Sequence, residues 1–343
     1  MEAVKQTLAQ NFGGPAHDAA NTGQKFSIET DVPDLSGKVA LITGGSEGVG
    51  YATAYTLLKR NLAKLFIISQ REEVQNQAEG DVRKQLGSEH AEKITFFQCD
   101  LSDLLAVTDI VKQIRSQTDR LDILCLNAAR GIMTYQTTDY GIDRHMAVNH
   151  LGHVTLTSHL LPLLKKTAES STVRIQIQAS NAHQGAPKDT KFATIDELQN
   201  DLGPNPQYGR SKLAGILYAR YLAAHLTKEH PNILANATHP GVVETKMSTE
   251  DIHEPYPKAG YLMSAGLSPF KKDIWEGCVS TVYAATVVVE SGLYICPPAK
   301  IEEGSPLSQD AQLCENLMRI TGEIIQEKFG AQSVDKGCPL KDY

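Results

Sequence analysis

The sequence predicts an α/β protein, a doubly wound parallel sheet with helices on both faces, folded as one domain. Three observations carry that prediction. Short apolar runs without polar alternation, Val39-Ala40-Leu41-Ile42 and Ile123-Leu124-Cys125-Leu126 among them, read as strands covered on both faces. Stretches of helical length alternate with them through short connections. A glycine-rich turn, Thr43-Gly44-Gly45-Ser46-Glu47-Gly48-Val49-Gly50, joins the first strand to a helix, where backbone N–H groups and the helix N-terminus reach a phosphate.

Composition narrows the classes. The 343 residues, 41% hydrophobic, suffice for a large core, and no linker or composition break divides them. The expected organisation is an N-terminal extension over 1–34, a catalytic domain over 35–296 and a helical C-terminal extension over 297–343 packed on that domain. A net charge of −7 argues against nucleic acid or an anionic membrane as main partner. The first 35 residues hold no signal-peptide run, and nothing reaches the ~18 apolar residues of a membrane span. A cytoplasmic location is the expectation. The six cysteines are scattered, with no C-x-x-C pair and no histidine at ligand spacing, so reduced thiols are expected and no metal. Met1 to Phe12 has Val4, Leu8 and Phe12 on one helical face, fit to pack on the body or to fray.

Taken in order, the first strand runs through the glycine turn into a helix from Tyr51 to Arg60. The second strand, Lys64 to Ile68, ends at Ser69-Gln70-Arg71. An acid there would bond an adenosine ribose hydroxyl, whereas an arginine suits a 2′-phosphate, so Arg71 favours NADP(H) over NAD(H). Glu47 in the turn and Glu72-Glu73 oppose that preference, and a solvated loop arginine is the plainer alternative. A helix to Leu86 precedes a third strand, Ile94 to Gln98, ending at Cys99-Asp100-Leu101. Asp100 is placed either to accept from an adenine amino group or to cap the following helix. The fourth strand closes on Asn127-Ala128-Ala129. Ile142 to Lys165 reads as one long helix, kinked at Pro162, with Asn149 among apolar neighbours where its amide needs a partner.

The fifth strand, Val173 to Gln178, ends at Ala179-Ser180, which puts the serine in the crevice where open α/β sheets bind ligands. A polar segment with a helical piece at Ile195 to Leu198 leads to Tyr208, which opens a helix with Leu213, Ile216, Leu217, Tyr221 and Ala224 on its apolar side. A sixth strand, Ile233 to Thr238, is followed by His239-Pro240-Gly241 and by Val243 and Thr245. Met247 to Phe270, rich in Pro, Gly, Tyr and Met, suits a substrate lid or a surface excursion. A helix from Trp275 to Glu290, a short strand Leu293-Tyr294-Ile295 and a terminal helix Ala311 to Phe329 complete the chain.

Tyr208 and Lys212 lie one helical turn apart on one face. A phenol titrates near ~10, and a fixed positive charge beside it lowers that value, making a proton donor or acceptor for a carbonyl/alcohol pair. Tyr55 and Lys59 repeat the spacing, but on the helix leaving the glycine turn, where a solvated lysine is ordinary.

The set of motifs resembles the short-chain dehydrogenase/reductase superfamily, and within it the retinol-dehydrogenase-type proteins and their fungal relatives. The matching residues are Thr43-Gly44-x-x-x-Gly48-x-Gly50, Asp100-Leu101, Asn127-Ala128-Ala129, Asn149, Ser180, Tyr208-x-x-x-Lys212 and His239-Pro240-Gly241, in the family's order over about three quarters of the chain. The resemblance implies a Rossmann-type fold and an alcohol/carbonyl oxidoreductase using NADP(H) or NAD(H) on a small, apolar substrate. It implies Tyr208 as general acid/base, Ser180 as hydrogen-bond donor to the substrate oxygen, Lys212 on the nicotinamide ribose and Asn149 holding a relay water. It also implies coenzyme contacts from Gly44, Ser46, Glu47, Gly48, Val49 and Gly50 at the pyrophosphate, and from the Val243 backbone and Thr245 at the carboxamide. Relatives of this kind are often homodimers. Ala129 stands where the family usually has glycine. A catalytically silent coenzyme-binding sensor or scaffold is the alternative, opposed by the intact set Asn149, Ser180, Tyr208 and Lys212. Epimerase or dehydratase chemistry is disfavoured by the glycine spacing.

Overall fold

A computed structural model describes residues 11–13, 26–250, 253–256 and 271–329. The elements follow the alternation read from the sequence: β1 Val39–Thr43, α1 Gly48–Lys59, β2 Lys64–Ser69, α2 Glu72–Leu86, β3 Ile94–Gln98, α3 Leu104–Gln117 and β4 Ile123–Leu126. After them come α4 Gly152–Ala168, β5 Val173–Gln178, α5 Pro204–Leu222, β6 Ile233–Thr238, α6 Ile274–Thr286, β7 Tyr294–Cys296, β8 Lys300–Glu302 and α7 Ala311–Phe329. The sheet order is β3-β2-β1-β4-β5-β6-β7-β8, with every pair parallel except β7 and β8. The order reverses between β1 and β4, where doubly wound sheets open a crevice at the strand C-termini.

The apolar strands have no alternation because both faces are covered. Val39 and Leu41 of β1 pack into the core under α3, α4, α5 and α7, while Ala40 and Ile42 pack into the core under α1 and α2. Leu124 and Leu126 of β4 face the first core, Ile123 and Cys125 the second. Leu313, Leu317, Ile320 and Ile324 of α7 are buried in the first core, as their spacing predicted. Cys99, Cys125, Cys278, Cys296 and Cys314 are buried free thiols; Cys338 lies outside the described residues. No helix among the described residues is long and apolar enough to cross a membrane.

Several boundaries differ from expectation for identifiable reasons. The first helix starts at Gly48, three residues early, because the glycine turn feeds straight into it. Tyr208 sits one turn inside α5 rather than at its start, since Gly203 at φ +79° and Pro204 at the first helical position begin the helix upstream. The helix expected from Ile142 to Lys165 is composite. Asp143 caps a short turn at Arg144–Met146, a π-helical turn covers Ala147–Leu151, and α4 continues through Pro162 to Ala168. The cap of α3 is Asp103, not Asp100. The antiparallel edge strand β8 was not expected; three residues, two of them charged, give no strand signal.

The helix expected at Met1 to Phe12 and most of the lid expected at Met247 to Phe270 lie outside the described residues. The described parts show how that second segment is framed. A short helix Lys246–Thr249 leaves beside Val243, and Lys272 returns to the same place, its N–H donating to the Val242 carbonyl at 2.9 Å. Between these, Glu254 accepts from the Thr134 N–H at 2.8 Å, and Tyr256 Oη accepts from Asn205 at 3.1 Å.

Candidate active site

At the C-terminal edge of the sheet lies a cleft of about 1170 Å³ that runs from the glycine turn to Ser180 and Tyr208. Its first wall is the turn itself. Gly44 and Gly48 have φ of +65° and +56°, and a Cβ on Gly50 would lie 2.1 Å from the Gly44 carbonyl oxygen. Only glycine lets the chain fold this tightly back on itself. No side chain caps the α1 N-terminus, so its first N–H groups stay free at the cleft. The neighbouring strand fixes the turn: Asn127 Nδ2 donates to the carbonyls of Thr43 at 3.1 Å and Gly44 at 3.2 Å.

Thr43 extends this brace inward. Its Oγ accepts from the N–H groups of Asn127 and Ala128, at 2.9 and 3.0 Å, and meets His153 Nε2 at 2.9 Å. With both lone pairs used, the threonine proton is left for Nε2 at 2.9 Å or the Cys125 carbonyl at 3.5 Å, and the shorter contact takes it. His153 therefore carries its proton on Nδ1, which donates to the Asn149 carbonyl at 3.3 Å. Burial keeps this ring neutral, pushing its pKa down to about 3. His153 was not foreseen as a site residue, because only the fold brings α4 against the end of β1.

At the end of the cleft beside β2, the Arg71 guanidinium pairs with Glu47 at 2.6 Å, both side chains over 40% exposed. Ser46 and Ser69 share a buried hydroxyl contact at 2.7 Å beneath them. Asp100 accepts from the N–H and hydroxyl of Ser102, at 2.9 and 2.7 Å, and pairs with Arg144. Its helix-capping role is thus replaced by a local turn and an ion pair. Leu101, Ala128, Ala129, Val49, Val243 and Thr245 also line the cleft. Gly50 and Asn149 lie behind its surface. Arg130 and Arg144 line it and were not expected to, neither sitting in a motif, whereas Met247 opens the segment read as a substrate lid and lines it too.

At the opposite end, behind Ser180 and Tyr208, Asn149 sits in the π-helical turn. Its Oδ1 accepts from the Arg130 N–H at 2.7 Å, and its Nδ2 donates to the Arg130 carbonyl at 3.0 Å and to Ser211 Oγ at 2.8 Å. The amide thereby ties the β4 loop to α5. Lys212 Nζ donates to the Gln178 carbonyl at 2.8 Å and stands 5.5 Å from the Tyr208 ring centroid. Burial raises the Tyr208 pKa to about 12, with the neighbouring Ser180 hydroxyl pulling it back, and lowers Lys212 to about 7. The expected lowering of the phenol by the ammonium is not found: desolvation disfavours both charged forms. Met247 Sδ is 4.0 Å from the phenol oxygen. Tyr55 and Lys59 are elsewhere, Tyr55 edge-on to Trp275 at 5.0 Å and Lys59 exposed.

Buried neutral histidines give the site a pH signature. Burial pushes His150, His153 and His239 each down to about 3. Unfolded, they titrate near ~6.5, so the stability tied to their neutral forms is complete above that value and lost as pH falls toward 3. Urea-unfolding midpoints should drop steadily between about pH 6.5 and 4. A midpoint constant over that window would contradict the neutral assignment.

The sheet order and this cleft define a doubly wound α/β protein with its crevice at the strand C-termini. The chain belongs to the short-chain dehydrogenase/reductase family. A family model described as short chain dehydrogenase matches residues 38–194, a stretch holding the glycine turn, Asn149 and Ser180 but ending before Tyr208. A Neurospora crassa protein named as a mitochondrial oxidoreductase, bli-4, is 53% identical over 100% of this chain and 84% of its own length. Human retinol dehydrogenase 14 is 32% identical over 92% of this chain and 93% of its own. Among solved structures, the NADPH-dependent 3-quinuclidinone reductase of Rhodotorula rubra shares the fold, with a TM-score of 0.57 and 20% identity over 80% of this chain and 94% of that one.

Proposed function

We propose that this enzyme interconverts an alcohol and a ketone or aldehyde on an apolar small molecule, using NADP(H), with Tyr208 as general acid/base. The observation that carries the reading is the meeting of Tyr208, Ser180 and Lys212 at one end of a cleft whose other end is the glycine turn. The residues at that turn fit a dinucleotide: free α1 N–H groups at a turn kept open by glycine, and no acid at the end of β2. Gly44 to Gly50 would hold the pyrophosphate, Asp100 and Leu101 the adenine side, and Val243 and Thr245 the carboxamide. When bound, the nicotinamide supplies or receives the hydride.

Protein groups handle the proton. In reduction the Tyr208 hydroxyl gives its proton to the substrate oxygen, while Ser180 donates a hydrogen bond to the same oxygen. A phenol held near 12 is fully protonated at neutral pH and ready to donate. In the oxidation direction the phenolate must form first, so oxidation rates should climb toward alkaline pH. Lys212 and Asn149 fix the α5 face that presents the phenol.

Arg71 carries the coenzyme preference. A partly exposed ion pair is worth only about 0–1 kcal/mol, so Glu47 holds the guanidinium weakly against a 2′-phosphate. Fluorescence titration should show tighter binding of NADPH than NADH. Arg71→Ala should weaken NADPH by about tenfold or more and leave NADH nearly unchanged, as expected for the loss of one charge-assisted contact. Equal losses for both coenzymes would remove Arg71 from this role. Decanal reduction with NADPH tests the apolar substrate class. The cytoplasmic location expected from the sequence stands against the mitochondrial name of the Neurospora relative, and cell fractionation decides between them.

A further inference from the structure

Ser180 is held from two directions by segments outside the region of the motifs. Its carbonyl accepts from His183 Nδ1 at 2.7 Å, and His183 Nε2 accepts from the Ser305 N–H at 3.0 Å, beyond β8. Its hydroxyl donates to Asn181 Oδ1 at 3.3 Å. Asn181 Nδ2 in turn donates to Asn11 Oδ1, which belongs to the N-terminal segment. The same oxygen meets His239 Nε2 at 3.2 Å.

The direction of this chain of bonds is fixed by His239. Its Nδ1 accepts from the N–H groups of Asn181 and Gly241, both at 3.3 Å, so its proton sits on Nε2 and is given to Asn11. Asn11 must therefore present its oxygen. That orientation requires the NH2 end of Asn181 on the Asn11 side, and leaves the Asn181 oxygen facing Ser180. The Asn11 carbonyl also accepts from the Val242 N–H at 2.8 Å, next to the expected coenzyme contact at Val243.

We propose that Asn11 is a positioning residue for the Ser180 hydroxyl, acting through Asn181, so that the N-terminal segment completes the active site. The inference rests on the role given to Ser180 above. The Ser180–Asn181 bond is long and weak enough for a substrate carbonyl oxygen to take over the proton. Asn181 meanwhile stays in place because Asn11 holds it. Without Asn11 the Asn181 amide is free to turn, and the serine rotor loses its aim.

The test is steady-state kinetics with decanal and NADPH on the full chain, with melting temperature and NADPH affinity measured on each variant. Asn11→Ala should lower kcat by about tenfold with NADPH affinity and melting temperature unchanged. Asn11→Asp, which still offers an acceptor oxygen to both His239 and Asn181, should recover most of that kcat. Wild-type kcat in Asn11→Ala, or equal losses in both variants, would overturn the inference while leaving the catalytic reading intact. A fall in NADPH affinity or melting temperature matching the fall in kcat would overturn it too, as general damage. Wild-type kcat in Ser180→Ala would instead overturn the catalytic reading, and this inference with it.

Discussion

Tyr208→Phe is expected to lower kcat by about a thousandfold or more while changing NADPH affinity by less than about twofold. The change removes the oxygen that meets Met247 Sδ and leaves the ring, which shares the cleft wall with Lys212. Losing an interaction made mainly in the transition state lowers kcat without affecting binding. Stopped-flow reduction and a fluorescence titration on the same preparation separate the two quantities. Substantial surviving turnover would mean that another group delivers the proton. The pH profile adds an independent check: with the phenol near 12, reduction should not decline between about pH 6 and 8, whereas oxidation should rise through the alkaline range.

Gly50→Ala is the second large effect. The added methyl would sit 2.1 Å from the Gly44 carbonyl oxygen and 2.5 Å from Asn127 Nδ2, so the turn must open or the Asn127 brace must break. Either movement shifts the N–H groups that face the cleft. NADPH affinity should fall by about a hundredfold or more, whereas global stability drops by about 1–3 kcal/mol, as for other overpacked positions. Calorimetric titration alongside a urea melt distinguishes the two losses. Wild-type affinity in this variant would mean that the phosphates bind elsewhere.

Much of this was legible in the sequence, for local reasons. Val39 to Ile42 and Ile123 to Leu126 advertise strands covered on both faces, and the glycine turn between β1 and α1 marks the cleft. Tyr208 and Lys212 are separated from Tyr55 and Lys59 only by their company. What the sequence hid is what tertiary contact decides. The π-helical turn around Asn149 leaves no compositional trace, although it sets the side chain that ties Arg130 to Ser211. The pairing of Arg71 with Glu47 spans 24 positions, and that of Asp100 with Arg144 spans 44. Asp100 fits a helix cap by its place in the sequence, but the chain path after β3 gives that role to Asp103. Burial, invisible residue by residue, reverses the expected direction at Tyr208.

The contact from Ser305 through His183 to the Ser180 carbonyl has a consequence for biosynthesis. Strands β1 to β5 and Tyr208 emerge from a ribosome long before Ser305, yet the His183 ring that bonds the Ser180 carbonyl has no anchor on its other nitrogen until the segment after β8 has docked. A nascent chain paused after β6 therefore holds six of the eight strands while the His183 ring still lacks its Ser305 contact. Turnover is thus expected to report docking of the segment after β8, and not formation of the sheet alone.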